Sequence, residues 1–114
     1  MQGEMIKYLL NAFSLNMLAG VESATLKVEK VADEVVRELL SEGFESAVGH
    51  EATAYVLSQR LGIDIPTARV NIALCRGEAA LVAQVGLPRL AEGQVLTSEQ
   101  VVEAPITFYL VRVT

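Results

Sequence analysis

The chain has 114 residues, of which 52% are hydrophobic and 20% are charged, and this composition predicts one folded domain with a packed core and excludes a disordered chain. Nine basic and fourteen acidic residues give a net charge of −5, which argues against a general nucleic-acid-coating protein, because such proteins need an excess of Lys and Arg. Cys75 is the only cysteine, which excludes an intrachain disulfide and a cysteine metal cluster, and we interpret it as a small buried hydrophobic residue in a strand.

No uninterrupted apolar run approaches the ~18 residues of a membrane-spanning helix. The first residues also lack a convincing signal peptide, because the apolar segment after Lys7 is short and no clear cleavage site follows it. We therefore expect a cytoplasmic protein that does not associate with a membrane.

Hydrophobic periodicity divides the chain into strands and helices. Alternation of apolar and polar residues predicts strands, and apolar residues at three- and four-residue spacing predict two longer helices, which Gly43 and Gly62 are placed to end. In chain order, we predict a strand at 5–10, a turn with a short helical piece at 11–20, a strand at 24–28, a helix within 31–44, a helix at 50–61, strands at 68–75 and 79–85 joined by a hairpin turn at 76–78, a loop at 86–94, a short helix at 97–104 and a strand at 106–113.

These strands and helices are mixed without regular βαβ alternation. Their order predicts an α/β fold of the mixed α+β kind, in which a mixed sheet of about five strands is flanked by helices. We expect a single domain over residues 1–114, because no linker, internal repeat or low-complexity segment interrupts the chain.

The only histidine, His50, follows Gly49 at the predicted start of the second helix. Free backbone N–H groups and the helix dipole favour an anion there, and glycine lets a ligand approach the backbone closely. The pattern is typical of a phosphate site beside an imidazole, which can pass a proton to a leaving oxygen. The alternative is a surface or capping histidine with no chemical task. A lone histidine excludes the usual zinc sets, and we expect neither a metal nor a cofactor.

Three other charged residues are candidates for a binding site. Arg89 and Glu92 lie in a glycine-bounded loop, where the guanidinium can bind phosphate oxygens and the carboxylate can favour a protonated imidazole. An ordinary exposed ion pair is the alternative. Arg69 begins a predicted strand, and it is either a binding-site cation or a solvated residue at the rim.

Polar residues interrupt the apolar stretch after the first strand. Asn11, Ser14 and Asn16 stand there among larger apolar side chains. Asn and Ser commonly cap turns, which explains one or two of these residues better than all three. We therefore regard the end of the first strand as a candidate binding surface.

Four segments, taken together and in order, resemble the viral ring nucleases. These are anti-CRISPR enzymes of archaeal viruses and bacteriophages, with bacterial relatives encoded beside CRISPR loci. The segments are LLNAFSLNML, SAVGHEAT, RVNIAL and PRLAEGQVLTSEQ, and the likeness runs over nearly the whole chain. The resemblance implies a ring-nuclease domain that acts as a homodimer on cyclic tetra-adenylate, the second messenger of type III CRISPR complexes. It also implies action in the cytoplasm of a bacterial, archaeal or virus-infected cell, without DNA as a partner.

The resemblance further implies a metal-independent reaction. A 2′-hydroxyl of the ring attacks the adjacent phosphate, and the products are linear di-adenylates with a 2′,3′-cyclic phosphate. His50 is then the general acid for the departing 5′-oxygen, Glu92 supports this histidine, and Arg89 stabilises phosphate charge. The residues implied to bind the substrate are Asn11, Ser14, Gly49 and Arg69.

Two alternatives from other functional classes stay open. A binding module, acting as a sponge or sensor, would hold the cyclic oligoadenylate and return it uncut. A structural or interaction protein would use the sheet edge for partners and would have no affinity for cyclic nucleotides.

Overall fold

The computed structural model describes residues 6–86 and 105–114. Within these ranges the chain forms a five-stranded sheet, two α-helices and one 3-10 helix. The elements in chain order are β1 (Tyr8–Leu10), the 3-10 helix (Leu15–Leu18), β2 (Leu26–Val31), α1 (Asp33–Leu40), β3 (Glu45–Ala47), α2 (Glu51–Leu61), β4 (Ala79–Val85) and β5 (Ile106–Val113). No helix in this described part of the chain is long and apolar enough to cross a membrane.

The sheet is mixed, with the strand order β2-β5-β4-β1-β3. The interior strand β1 is parallel to both β3 and β4, whereas β5 is antiparallel to β4 and β2. Leu9 of β1 lies opposite Ser46 of β3 and Leu81 of β4, and its side chain is fully buried. The predicted α+β fold, with a mixed sheet of five strands and flanking helices, is therefore confirmed.

Alternate strand residues divide the core between the two faces of the sheet. On one face, Leu9, Leu81 and Phe108 share a buried cluster with side chains of α1 and α2. On the other face, Leu10 belongs to a second cluster, against which the 3-10 helix and residues of the segment 68–75 pack. Both α-helices thus lie on the same face, and within the described residues only short or irregular segments cover the other.

Glycines follow both α-helices, as the sequence predicts. Gly62 follows α2 with a φ of +68°, and its N–H donates to the Ser58 carbonyl (2.9 Å). Gly43 follows α1 with a φ of +108°, and its N–H donates to the Leu40 carbonyl (3.1 Å). Residues with a Cβ rarely adopt such angles. The predicted inner stripe of α2 is buried and consists of Ala54, Leu57 and Leu61.

Arg37 of α1 fixes the two helices to each other. Its Nε donates to the Leu61 carbonyl and its Nη2 to the Arg60 carbonyl, both at 3.1 Å. These carbonyls end α2, where intrahelical donors are lacking. Nε of Arg60 in turn lies 3.3 Å from Oδ2 of Asp33, in the first turn of α1. The start of α1 and the end of α2 are therefore held side by side.

The strand predicted at 68–75 is wrong, because this segment is irregular. Its backbone is hydrogen-bonded at single points and not along a ladder. The Ala68 N–H donates to the Val48 carbonyl, and the Leu74 N–H donates to the Met17 carbonyl, both at 2.8 Å. The alternation of apolar and polar residues matches burial only in part, because Leu74 is buried whereas Val70 is 56% exposed.

The interpretation of Cys75 as a buried strand residue is also wrong, since Cys75 is exposed. It begins a turn in which its N–H donates to Oε1 of Glu78 (2.7 Å) and its carbonyl accepts from the Glu78 N–H (3.1 Å). This turn leads from an irregular segment into β4, so the hairpin predicted at 76–78 does not form.

One strand of the structure was not predicted, and another is shifted from its predicted position. The short strand β3 was not predicted, because three residues are too few to reveal an alternation. The strand predicted at 24–28 extends instead from Leu26 to Val31, and most of its residues are exposed. Val28, for example, is 55% exposed, because β2 lies at the edge of the sheet. The helix predicted at 97–104 lies outside the described residues.

Candidate functional site

A cavity of about 460 Å³ opens where β1 and β3 end and α2 begins. The carboxyl ends of parallel strands form a common binding position in mixed and parallel sheets. The apolar lining includes Leu10, Met17 and Ile72, and the polar lining comes from Asn11, His50, Arg69 and Asn71 together with the backbone of Gly49.

Gly49 joins three segments of the chain at this cavity. Its N–H donates to Oδ1 of Asn11 at the end of β1 (3.3 Å), and its carbonyl accepts from Nε of Arg69 (3.0 Å). A Cβ at Gly49 would lie 3.5 Å from Cγ of Arg69, which is an ordinary contact. The protein itself therefore has room for a larger residue, and the lack of a side chain matters mainly for a ligand that approaches the backbone.

The N-terminus of α2 forms one wall of the cavity. His50 is the N-cap residue, with extended backbone angles, and its carbonyl accepts the first helical hydrogen bond from the Ala54 N–H (2.9 Å). No side chain among the described residues caps this helix end. The amides of residues 51–53 thus lack intrahelical acceptors, and the positive end of the helix dipole is available to an anion.

The imidazole of His50 is exposed at this helix end. Within residues 6–86 and 105–114, it takes part in no hydrogen bond and no ion pair. The side chain therefore does not cap the helix, although the residue occupies the capping position. Proton transfer to or from a bound molecule requires an imidazole that is accessible in this way.

Arg69 is anchored by its Nε, which leaves the terminal amino groups of its guanidinium without hydrogen-bond partners in the described part of the chain. The backbone before it is held against β3, because the Ser46 hydroxyl donates to the Pro66 carbonyl (2.6 Å). Ser46 therefore helps to position the backbone that precedes Arg69. The two terminal NH2 groups of the fixed guanidinium can bind phosphate oxygens.

The electrostatic character of the cavity suits an anion. Its described lining contains the Arg69 cation and the α2 N-terminus, whereas it contains no carboxylate. Elsewhere among the described residues, no three His, Cys, Asp or Glu side chains are grouped as a metal site. The chain as a whole has a net negative charge, whereas the described lining of this cavity carries positive charge.

The structure brings together four of the residues implied by the resemblance: Asn11, Gly49, His50 and Arg69. Ser14 lies outside the cavity lining. It is exposed at the start of the 3-10 helix, where its carbonyl accepts from the Met17 N–H (3.1 Å). Arg89 and Glu92 lie outside the described residues, and their roles stay predictions.

Asn71 lines the cavity, although we did not select it from the sequence. The signal was present, because Arg69 and Asn71 are two residues apart and therefore project to the same side of an extended segment. In the irregular segment that forms here, the residues from Ala68 to Ile72 all contribute to the cavity lining.

A second cavity of about 420 Å³ lies on the sheet face opposite the α-helices. It shares Asn11 and Ala12 with the first cavity, and its lining is mainly apolar, with Phe13, Gln84 and Tyr109 among its residues. The two cavities are therefore adjacent, with a polar, cationic part at the end of β1 and an apolar part over the sheet.

The family model described as STIV B116-like matches residues 7–110 of the chain. A solved structure, that of B116 from Sulfolobus turreted icosahedral virus, has a TM-score of 0.73 and 29% sequence identity, and the match covers 96% of this chain and 99% of that chain. Similarity therefore extends through the whole sheet.

Similar sequences come from further viruses. The uncharacterized protein ORF117 of Acidianus two-tailed virus is 35% identical, over 87% of this chain and 85% of its own. The uncharacterized protein 26 of Sulfolobus islandicus filamentous virus is also 35% identical, over 84% of this chain and 80% of its own. The uncharacterized protein ORF116 of Acidianus filamentous virus 1 is 30% identical, over 93% and 94% of the two chains.

These matches correct the family drawn from the sequence. We identified four segments as resembling the viral ring nucleases, whereas the matching family model is the STIV B116-like one and the similar sequences are uncharacterized proteins of archaeal viruses. The assignment to the viral ring nucleases is therefore wrong. Short segments such as the glycine-histidine pair at a helix start are too brief to define a family.

Proposed function

The chain belongs to the STIV B116-like family, and from this premise we propose that it is a metal-independent phosphodiesterase that cleaves a small cyclic oligoadenylate in the cavity beside His50. The similar proteins come from viruses, and removal of a nucleotide signal is a direct way for a virus to counter host defence. The proposed substrate is cyclic tetra-adenylate, and its cleavage would switch off type III CRISPR effectors in the cytoplasm of a bacterial, archaeal or virus-infected cell.

One observation carries most of this proposal. An imidazole without a hydrogen-bond partner in the described residues stands at a helix N-terminus, in the same cavity as the anchored guanidinium of Arg69. Helix N-termini and arginines are common phosphate-binding groups, and an exposed imidazole is a common proton donor. The combination favours proton transfer beside a bound phosphate.

The proposed reaction needs only groups of the substrate and one proton donor. The 2′-oxygen of a ribose attacks the adjacent phosphorus, its proton passes to solvent, and the bond from phosphorus to the 5′-oxygen breaks. Protonated His50 gives its proton to that departing oxygen. The products are linear di-adenylates that end in a 2′,3′-cyclic phosphate. Arg69 and the first amides of α2 would stabilise the charge on the phosphate oxygens.

The size and charge of the molecule favour a small ring over a polymer. The cavity of about 460 Å³ falls within the range of small-ligand sites, roughly 300–1,000 Å³, and the net charge of −5 disfavours an extended polyanion. The adenines would lie toward the second cavity, whose lining includes Phe13 and Tyr109. A homodimer with two-fold symmetry would present two equal sites to opposite phosphates of one ring.

A second candidate function is binding without cleavage. The described residues that surround the cavity provide a cation and amide donors for a phosphate, but none of them holds the imidazole of His50 in a fixed orientation. A general acid is effective only when it is positioned within hydrogen-bonding distance of the leaving oxygen. A sponge or sensor for cyclic oligoadenylates needs no such positioning.

The test is cleavage of excess cyclic tetra-adenylate by the full chain in EDTA, followed by chromatography. We expect linear di-adenylates with a cyclic phosphate end. The His50→Ala variant should slow cleavage by a factor on the order of 10² or more while binding persists, as expected for loss of a general acid. Tyr55→Phe provides a control, because Tyr55 is an exposed residue of α2 outside the cavity lining.

Three other outcomes would each contradict a different part of the proposed function. Recovery of the intact ring after denaturation would favour the sponge or sensor. Loss of activity in EDTA would remove the metal-independent mechanism, and cleavage by His50→Ala at the parent rate would remove His50 from the reaction. Parallel incubations with tri- and hexa-adenylate rings would establish the preferred ring size.

A further inference from the structure

Asn71 is a polar residue of the first cavity to which the proposed reaction gives no task. Its side chain is exposed and lines the cavity. Among the described residues, its carbonyl oxygen and its amino group have no hydrogen-bond partner, whereas Oδ1 of Asn11 accepts from the Gly49 N–H (3.3 Å). A carboxamide carries an acceptor and a donor side by side, so Asn71 can offer both groups to a ligand.

The cavity lining that follows Asn71 is apolar. Ile72 and Met17 both pack against the buried cluster that contains Leu10, and all three residues line the cavity. The Leu74 N–H donates to the Met17 carbonyl (2.8 Å), which holds this part of the chain against the 3-10 helix. We call Leu10, Met17 and Ile72 the apolar end of the first cavity. Apolar walls with few polar groups are typical of sites for organic ligands, and a methionine sulfur interacts favourably with an aromatic ring.

The cationic part of the cavity lies close to Asn71 along the chain. Arg69 is anchored by the hydrogen bond from its Nε to the Gly49 carbonyl (3.0 Å). It is two residues from Asn71, so the two Cα atoms are no more than about 7 Å apart. A phosphate bound by the guanidinium of Arg69 and a base bound by the carboxamide of Asn71 can therefore belong to the same nucleotide.

We propose that Asn71 selects adenine, by two hydrogen bonds from its carboxamide to the edge of a base that lies against the apolar end of the first cavity. Oδ1 accepts from the N6 amino group of the base, and Nδ2 donates to N7. Asparagine commonly recognises adenine by this pair of bonds. A purine with an oxygen at C6 presents an acceptor to Oδ1, and one of the two bonds is lost.

This inference rests on the proposed function, and it refines where the bases lie. Two nucleosides flank the phosphate beside His50. One reaches toward the second cavity past Asn11 and Ala12, which line both cavities, and the other occupies the apolar end of the first. Recognition of the base does not require cleavage, so a single nucleotide is a sufficient probe.

The experiment compares the binding of adenosine 5′-monophosphate and inosine 5′-monophosphate to the full chain, by NMR titration. Both carry the same phosphate, and inosine has an oxygen in place of the N6 amino group. We expect the parent to bind the adenine nucleotide about tenfold to a hundredfold more tightly. Asn71→Ala should reduce the ratio of the two affinities to about one. Gln59→Ala is the matched control, because Gln59 is an exposed amide of α2 outside both cavity linings, and it should keep the parent ratio.

Cleavage of the rings gives a second readout. Asn71→Ala should lower kcat/KM for cyclic tetra-adenylate about tenfold or more and leave kcat/KM for cyclic tetra-inosinate close to that of the parent. A preference for the adenine nucleotide that depends on Asn71, in a protein that leaves the ring uncut, would contradict the proposed cleavage and support the base site. A parent that binds the two nucleotides equally, or binds neither, would overturn the role of Asn71, as would an Asn71→Ala variant with the parent ratio.

Discussion

At the scale of single residues, the candidate site depends on two hydrogen bonds that share the backbone of Gly49. Asn11 accepts from Gly49, and Gly49 accepts from Arg69, so the end of β1, the start of α2 and the segment 68–75 are fixed by two bonds. Asn11 thereby has a structural task that is compatible with ligand contact. These bonds use Nε of Arg69, which lines the cavity, and leave its two terminal nitrogens without partners among the described residues.

Substitution of Arg69 by Ala should weaken the binding of cyclic tetra-adenylate about tenfold to a hundredfold, because a charged hydrogen-bond donor to phosphate is lost. Isothermal titration calorimetry measures this change. Arg76→Ala is the matched control: Arg76 also donates to a backbone carbonyl, that of Ser23 (2.8 Å), but it lies outside the cavity lining. Equal affinity of the two variants would exclude Arg69 from the site.

At the scale of elements, α1 and α2 stabilise each other through their ends. The carbonyls that end α2 accept from Arg37, which is a side chain of α1. A cation near a helix C-terminus also interacts favourably with the helix dipole. The orientation of α2, and with it the direction of its N-terminus toward the cavity, is therefore coupled to α1.

Arg37→Ala should lower the free energy of unfolding by about 1–2 kcal/mol, since two carbonyls lose a charged donor that is partly exposed. Chemical denaturation monitored by circular dichroism is the measurement. Glu38→Ala, an exposed neighbour on the same helix, controls for the change to alanine. A loss no larger than that of the control would mean that water replaces Arg37 at no cost.

At the scale of the whole molecule, an ion pair links positions that are distant in the chain. Nζ of Lys7 donates to Oε2 of Glu78 (2.7 Å), and thereby joins the residue before β1 to the residue before β4. This contact, together with the N–H of Cys75, holds the pKa of Glu78 below its usual value, and the same contact raises the pKa of Lys7.

The lowered pKa of Glu78 predicts a dependence of stability on pH. A carboxylate with a depressed pKa in the folded state stabilises the fold above its unfolded pKa, about 4.3, and this contribution is lost as pH falls through the folded value. Glu78→Gln should therefore be less stable than the parent at pH 7, and the difference should shrink in acid. Denaturation at a series of pH values measures it, and a difference that stays constant would contradict the role of the ion pair.

Much of the fold follows from the sequence, because periodicity reports which side chains are buried. It predicts α1, α2, β4 and β5, and it predicts that Gly62 ends a helix. Prediction from periodicity fails where the pattern of apolar residues does not match the pattern of backbone hydrogen bonds. Residues 68–75 alternate like a strand, yet they form no ladder, and the three residues of β3 pair with β1 without a pattern of their own.

The candidate site is predictable only in part from the sequence. The combination of Gly49 and His50 at a helix start indicates an anion site from local chemistry alone. Asn71 was missed, since its direction depends on how an irregular segment packs against the sheet. Neither the hydrogen bond from Gly49 to Asn11 nor that from Arg69 to Gly49 has a sequence signal, because each joins residues that are far apart in the chain.

The position of β5 has a consequence for how the molecule folds. β5 is the last strand in chain order, and it is the neighbour of both β2 and β4, so β2 has no strand to pair with until β5 has been synthesised. The pairs between β2 and β5 close large loops of chain, such as that from Leu26 to Val113, and contacts of such sequence separation form slowly. While the segment before β5 is being translated, β4 and the inner edge of β2 lack their partner strand, and the sheet is completed only after β5 has emerged.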